Sequence, residues 1–195
     1  MIIWINGPFG VGKTQTAYEL AYQVPGSFVF DPEEVGFFIA KHMPRERRKP
    51  DFQDYEAWRT TVSAMLRELQ VDRDKPIIVP MTVVSPRYFR EILDPLKASG
   101  IGVRNFTLTA APETIRKRLT KRGDRGSWNY RQIDRCLEGL RDPIFADYID
   151  TDAHNLYEVV DKICATVEYR NGNRGSGAAR RFLRRMKVLA RHVRI

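Results

Sequence analysis

Residues Gly7 to Thr14 read G-P-F-G-V-G-K-T and directly follow the apolar run Met1-Ile2-Ile3-Trp4-Ile5. Four residues separate the first glycine from Gly12-Lys13-Thr14, and the helix formers Gln15-Thr16-Ala17-Tyr18-Glu19-Leu20 come next. A strand that turns through glycines into a helix offers inward backbone N–H groups and a positive helix end to an anion. The spacing therefore predicts a phosphate-binding loop, with Phe9, Gly10, Val11, Gly12, Lys13, Thr14 and Gln15 around the phosphates of a nucleotide. Lys13 reaches the outer phosphates and the Thr14 hydroxyl suits Mg²⁺. Pro8 has no N–H, so the cradle draws its donors from later in the loop.

The rest of the chain repeats the strand-then-helix alternation. Strand-like runs end at Asn6, Asp31, Met81, Thr109 and Asp150. Helical patterns lie over 52–70 behind Asp51 as a cap, over 86–98 and 112–121 with Pro86 and Pro112 in first turns, and over 155–169 behind Asp152. This order predicts an α/β fold built on the phosphate loop, a five-stranded parallel sheet with helices on both faces. Ligands of such sheets bind beyond the carboxyl ends of the strands, where the phosphate loop already sits.

Charge locates a second feature. The chain has 33 Lys and Arg, 24 Asp and Glu, and a net charge of +9. Nine of the basic residues lie from Arg170 onward and no acid follows Glu168, so residues 1–169 hold 24 of each sign. The segment 171–177, Asn-Gly-Asn-Arg-Gly-Ser-Gly, reads as a linker, which divides the chain into a body over 1–169, a linker over 170–177 and a tail over 178–195. In the tail Phe182, Met186, Leu189 and Val193 recur at helical spacing among Arg and Lys. A basic amphipathic helix of this kind suits an anionic membrane surface; docking on the body and binding nucleic acid follow in that order. No apolar run approaches the length of a membrane span, so the expected location is cytoplasmic, peripheral on the inner face of the membrane. Cys136 and Cys164 have no metal-type spacing and read as buried free thiols.

Asp31 is the first candidate for chemistry. It ends the second strand pattern and precedes Pro32-Glu33-Glu34, so it faces the acceptor side of the phosphate loop. A carboxylate there can take the proton of an attacking hydroxyl or hold Mg²⁺ through water, and it can cap the next helix as well. The run Arg116 to Ser127 leads from a helix into a glycine-punctuated loop and reads as an arginine-bearing lid. Within it Arg122 and Arg125 are the expected clamp on the moving phosphoryl group, and Arg118, near the Thr151-Asp152 turn, the expected neighbour of adenine. The third strand lacks the acidic residue that many nucleotide hydrolases place there, so a second Mg²⁺ ligand falls to Asp31 or to water. No Asn-Lys-x-Asp sequence appears, which argues against a GTPase. The patch Asp51 to Trp58 mixes acids and aromatics that suit a sugar or base and equally suit the start of an amphipathic helix. His42 and His154 receive no role.

With these residues in place the chain resembles the ATP-binding tunicamycin-resistance proteins of bacteria. The matching pieces are Ile2 to Gly7 leading into Phe9 to Thr16, Asp31-Pro32-Glu33, Val79-Pro80-Met81-Thr82, Phe106-Thr107-Leu108, Gln132 to Cys136, Pro143-Ile144-Phe145 and Thr151-Asp152, together with the basic amphipathic end. The resemblance implies a P-loop NTPase fold similar to small-molecule and nucleoside-monophosphate kinases and related to antibiotic phosphotransferases, ATP with Mg²⁺, and a link to the nucleoside antibiotic tunicamycin. Resistance would come from phosphorylating a drug hydroxyl or from ATP-dependent binding that sequesters the drug. A housekeeping nucleoside or nucleotide kinase is the further alternative. Oligomeric state is not readable from the sequence.

Overall fold

The computed structural model describes residues 1–70 and 75–169. The linker expected over 170–177 and the amphipathic segment over 178–195 lie outside the described residues.

Strand β1 (Ile2–Asn6) is buried along its whole length and forms the middle of the sheet. It is flanked on one side by β3 (Ile77–Pro80) and then β2 (Phe28–Val29), and on the other by β4 (Val103–Thr109) and then β5 (Tyr148–Asp150). Every pairing is parallel. A central parallel strand is covered on both faces, which is why Ile2 to Ile5 is continuously apolar rather than alternating. The period of two then divides its side chains between layers. Ile2 and Trp4 face one core with Trp58, Phe89 and Phe145, whereas Ile3 and Ile5 face the other with Leu20, Phe106 and Val160.

Helices α3 (Glu56–Gln70) and α4 (Pro86–Ala98) cover the first layer, and α1 (Lys13–Gln23) and α8 (Leu156–Thr166) the second. Trp58 is fully buried in the first layer, and its indole N–H donates to the Pro32 carbonyl at 2.9 Å. Truncating such a residue to alanine costs about 3–5 kcal/mol. That hydrogen bond also fixes the start of α2 (Pro32–His42) beside α3.

The architecture is the expected one, and the differences are local. The pattern over 52–70 divides into a 3₁₀ turn, Phe52–Asp54, and α3, because Asp51 caps the short turn by accepting from Gln53 N–H. Asn155, not Asp152, caps α8, in a reciprocal capping box with Glu158. Asp152 instead accepts from the Ala111 N–H at 2.7 Å. The second strand stops at Val29, two residues short of Asp31, and the fifth begins at Tyr148, after a 3₁₀ turn over Pro143–Phe145. Helices α5 (Pro112–Lys121), α6 (Trp128–Arg131) and α7 (Ile133–Gly139) form a cap beyond the carboxyl end of the sheet. No helix among the described residues is long and apolar enough to cross a membrane.

Candidate active site

The phosphate-loop pattern is built as a loop between β1 and α1. Gly7, Gly10 and Gly12 all have positive φ, at 139°, 81° and 115°. Gly7 and Gly10 could not be replaced even by alanine without moving neighbours. A Cβ on Gly7 would lie 2.6 Å from the Leu108 carbonyl oxygen, and one on Gly10 would lie 2.8 Å from Leu119 Cγ. Gly12 is the left-handed residue from which α1 starts.

The loop is anchored from its neighbour strands. Asn6 Oδ1 accepts from both Gly7 N and Val83 N, and its Nδ2 donates to the Val83 carbonyl. The Thr82 hydroxyl donates to the Gly7 carbonyl at 2.8 Å. Thr82 follows the third strand, where many nucleotide hydrolases carry an acid, and its hydroxyl holds the loop.

Lys13 is 8% exposed, and Nζ donates to the carbonyls of Gly7 and Pro8, each at 3.0 Å. The ammonium also lies 5.4 Å from the centroid of the Phe9 ring. Burial pulls its pKa from 10.5 to about 8; the Glu33 and Asp31 carboxylates push it back up and Arg122 pulls it further down. Cys136 lies against the same loop at Phe9, and burial raises its thiol. Cys136 and Cys164 are both free and buried.

Beside the loop is a cavity of about 470 Å³. Gly10, Gly12, Lys13, Thr14 and Gln15 line one side of it. Asp31 and Glu33 form part of the wall, and Phe37, Asp51, Phe52, Gln53 and Met81 continue it. Leu119, Arg122, Asp124 and Trp128 close it from the cap. Asp31 caps α2, Oδ1 accepting from Glu33 N at 3.0 Å, so the cap that starts the helix also fixes the carboxylate on the cavity wall.

Of the residues singled out from sequence, Phe9, Gly10, Gly12, Lys13, Thr14, Gln15, Asp31 and Arg122 share this cavity. Val11 is buried beneath the loop. Arg118 and Thr151 meet each other away from the cavity wall. The Arg118 guanidinium donates to Thr151 Oγ1 at 2.8 Å, to the Thr151 carbonyl at 3.0 Å and to the Val11 carbonyl at 3.3 Å. It thus joins α5, the phosphate loop and the turn after β5. Arg125 is exposed and does not line the cavity. The Asp51 to Trp58 patch divides in two. Asp51, Phe52 and Gln53 face the cavity, and Tyr55 and Trp58 belong to the core.

Met81, expected at the site as the end of the third strand pattern, does line the cavity, whereas sequence reasoning missed Glu33, Phe37, Trp128 and Arg135. Glu33 was legible, since Pro32 in a first turn places the next residue beside the cap. Arg135 was not. Its Nη2 donates to Asp51 Oδ2 at 3.1 Å across 84 positions of chain, and no local pattern encodes that. The aromatic wall is set by close packing. The Phe52 ring lies so close to Gly36 that a Cβ there would come within 2.5 Å of it, and Phe37 meets the same ring edge-on at 5.6 Å. Trp128 meets Phe9 edge-on at 5.6 Å, tying the cap to the loop. Gln53 Nε2 donates to the Thr82 carbonyl at 3.0 Å, which leaves its oxygen as the carboxamide's acceptor.

The donor set fits a nucleotide phosphate and its cation. The loop offers a buried ammonium and a helix start to anionic oxygens, and Thr14, Asp31 and Glu33 offer the oxygen ligands that a hard divalent ion takes.

Comparison with known proteins agrees with this geometry. The sequence model of the AAA domain family matches residues 2–143. The structure of the Deinococcus radiodurans tunicamycin resistance protein superposes with a TM-score of 0.73 at 32% identity, covering 87% of this chain and 96% of that one. A gluconokinase from Sinorhizobium meliloti 1021 has a TM-score of 0.62 at 19% identity over 85% of this chain and 90% of its own. A shikimate kinase from Bacteroides thetaiotaomicron has a TM-score of 0.55 at 18% identity over 86% and 98%. These two likenesses speak for the fold alone. A search of curated proteins finds no match. The chain belongs to the AAA domain family of P-loop, kinase-like proteins, in the company of the tunicamycin-resistance proteins.

Proposed function

We propose that this protein transfers the γ-phosphoryl group of ATP, bound with Mg²⁺, to a hydroxyl of tunicamycin or a related nucleoside. The observation that carries the reading is the continuity of one cavity. The phosphate loop, the Asp31 carboxylate and an aromatic wall with a carboxamide acceptor all border the same space. The likeness at 32% identity to a protein described as a tunicamycin resistance protein supports the choice of acceptor.

In this reading Lys13 and the N–H groups from Phe9 to Gln15 hold the outer phosphates. Thr14 and Asp31 hold the cation, and Asp31 accepts the proton released by the attacking hydroxyl. Arg122, on the cavity wall, balances charge that builds on the transferred group, and Arg125 joins it only by moving in from its exposed position. Arg118 and Thr151 hold the edge of the site nearest the adenine. Phe37, Phe52 and Gln53 are the acceptor's wall, since flat apolar faces with one hydrogen-bond acceptor suit a nucleoside. The body over 1–169 is then the catalytic unit, 170–177 a linker, and 178–195 a basic amphipathic segment that holds the protein on an anionic membrane surface. Nucleic acid has no part in this reading.

Mass spectrometry of tunicamycin after incubation with the protein and Mg-ATP tests it. A product heavier by one phosphoryl group is expected. Unmodified drug, in a preparation shown to bind both ATP and the drug, would overturn transfer in favour of sequestration. Deleting 178–195 should weaken pelleting with anionic vesicles, and unchanged pelleting would refute the tail's role.

A further inference from the structure

Residues 1–169 are neutral in total, but their charge is not evenly spread. Between the end of α2 and Pro50, the stretch Lys41 to Lys49 carries Lys41, Arg45, Arg47, Arg48 and Lys49 against the single acid Glu46. All five basic residues are exposed, and none forms an ion pair with another described residue. On the preceding turn of the helix two large apolar side chains are partly exposed, Phe37 at 43% and Phe38 at 65%. Lys41 follows Phe37, and His42 follows Phe38, by four residues, so each lies on the same helix face as its partner. The rings of Phe38 and His42 touch, with centroids 4.5 Å apart.

The basic stretch is held in a fixed shape. The hydroxyl of buried Tyr55 accepts from Lys49 N–H at 2.8 Å and donates to the Arg47 carbonyl at 3.3 Å. Lys49 Nζ donates to the Asp54 carbonyl at 2.7 Å, and Arg48 Nε donates to the Met43 carbonyl at 3.2 Å. Lys41, Arg45 and Arg47 make no side-chain hydrogen bond of this kind among the described residues. A ridge of cations with no ion pair among the described residues, beside two partly exposed rings and on a backbone fixed by a buried hydroxyl, is a built surface rather than a solvated loop.

We infer that Phe37, Phe38 and the ridge Lys41 to Lys49 form a lipid-facing surface that seats the body on an anionic membrane. The chemistry is complementary. Phenyl rings partition into the acyl boundary, and Lys and Arg reach back along their aliphatic stems to headgroup phosphates. Single-stranded nucleic acid would use the same charges but needs open ring faces along a groove. Here the Phe38 ring is tilted against His42 and the Phe37 ring is set edge-on to Phe52. Phe37 and Pro50, at the two ends of the ridge, both line the cavity. Seating this surface therefore brings the cavity mouth to the headgroup level. The inference is separate from the tail over 178–195 and does not depend on phosphoryl transfer.

The test uses the full chain, with Lys41→Gln, Arg45→Gln and Arg47→Gln combined, none of which borders the cavity. Binding to phosphatidylglycerol vesicles is compared with the parent at low ionic strength. Each cation near such a surface contributes roughly a factor of five, so the expected loss is about a hundredfold. ATP binding by the variant reports that the body is intact. A second measurement places a solvatochromic label on Phe38→Cys in the otherwise unchanged chain, where the native thiols are buried. A blue shift with phosphatidylglycerol vesicles and none with phosphatidylcholine vesicles is expected. Undiminished vesicle binding by the folded triple variant, or an unshifted label on bound protein, would overturn the proposal. A label that shifts with a single-stranded oligonucleotide but not with vesicles would overturn it in favour of nucleic acid.

Discussion

Arg135 on α7 pairs with Asp51 of the cavity wall, its Nη2 donating to Oδ2 at 3.1 Å. The Asp51 side chain is 8% exposed and that of Arg135 is 47% exposed. The same carboxylate caps the 3₁₀ turn that carries Phe52 and Gln53. One ion pair therefore ties the cap of the site to the cavity wall proposed to bind the acceptor. Arg135→Ala should cost only about 1 kcal/mol, because the arginine is half in water, and lower the melting temperature by roughly 2–4 °C. Acceptor binding should weaken several-fold while ATP affinity stays the same. Calorimetric titration of each ligand checks this, and a parallel fall in both would refute it.

Gly36→Ala would normally stabilise a helix. In α2 it should destabilise, by about 1–3 kcal/mol, because the new methyl group meets the Phe52 ring at 2.5 Å. The ring should move, so that the proposed acceptor wall changes shape and the phosphate loop does not. A lower melting temperature with unchanged ATP affinity is the expected pair of results.

Lys13 gives a pH dependence with two opposite signs. Its folded pKa, about 8, lies below the ordinary 10.5, so between those values the unfolded chain binds the proton that the folded chain has released. Stability contributed by this group should rise with pH across that window, by up to about 3 kcal/mol. ATP affinity should fall as pH climbs above about 8, because the neutral amine no longer attracts phosphate. Thermal melts and ATP titrations from neutral to alkaline pH check both trends, and Lys13→Met should flatten both.

Asp31→Asn separates the base from the cap. Asparagine caps a helix about as well as aspartate, so stability should be unchanged. Phosphoryl transfer should fall by about 10²–10⁴-fold with ATP still bound. A rate within threefold of the parent would refute the base assignment.

Thr82→Val removes the hydroxyl that holds the Gly7 carbonyl while keeping the residue's shape. The loss of one buried hydrogen bond should cost about 1 kcal/mol. Lys13 Nζ remains a donor to the same carbonyl, so the loop should keep its fold and ATP affinity should drop only a few-fold. Titration with ATP analogues would show it.

The phosphate loop, the strand–helix alternation of an α/β domain and the place of Asp31 were legible in the sequence because each depends on neighbours within a few positions. Glycines at Gly7, Gly10 and Gly12 permit the left-handed turns, Ile2 to Ile5 announces a strand buried on both faces, and Pro32 marks the start of α2. What the local pattern left open was settled by packing between distant segments. The Asp51 to Trp58 patch suited a binding wall and a helix start equally. Only the Phe52 ring against Gly36, and the indole of Trp58 donating to Pro32, divide it between the cavity and the core. Asp152 looked like a helix cap until the amide of Ala111 and the guanidinium of Arg118 took its carboxylate. Net charge hid the ridge at Lys41 to Lys49, because a sum over the chain carries no position in space. Sequence determines the backbone conformations and buried faces that each segment requires. The pairing of Arg135 with Asp51 and the shared cavity of Lys13, Asp31 and Phe52 follow only when those faces are satisfied together.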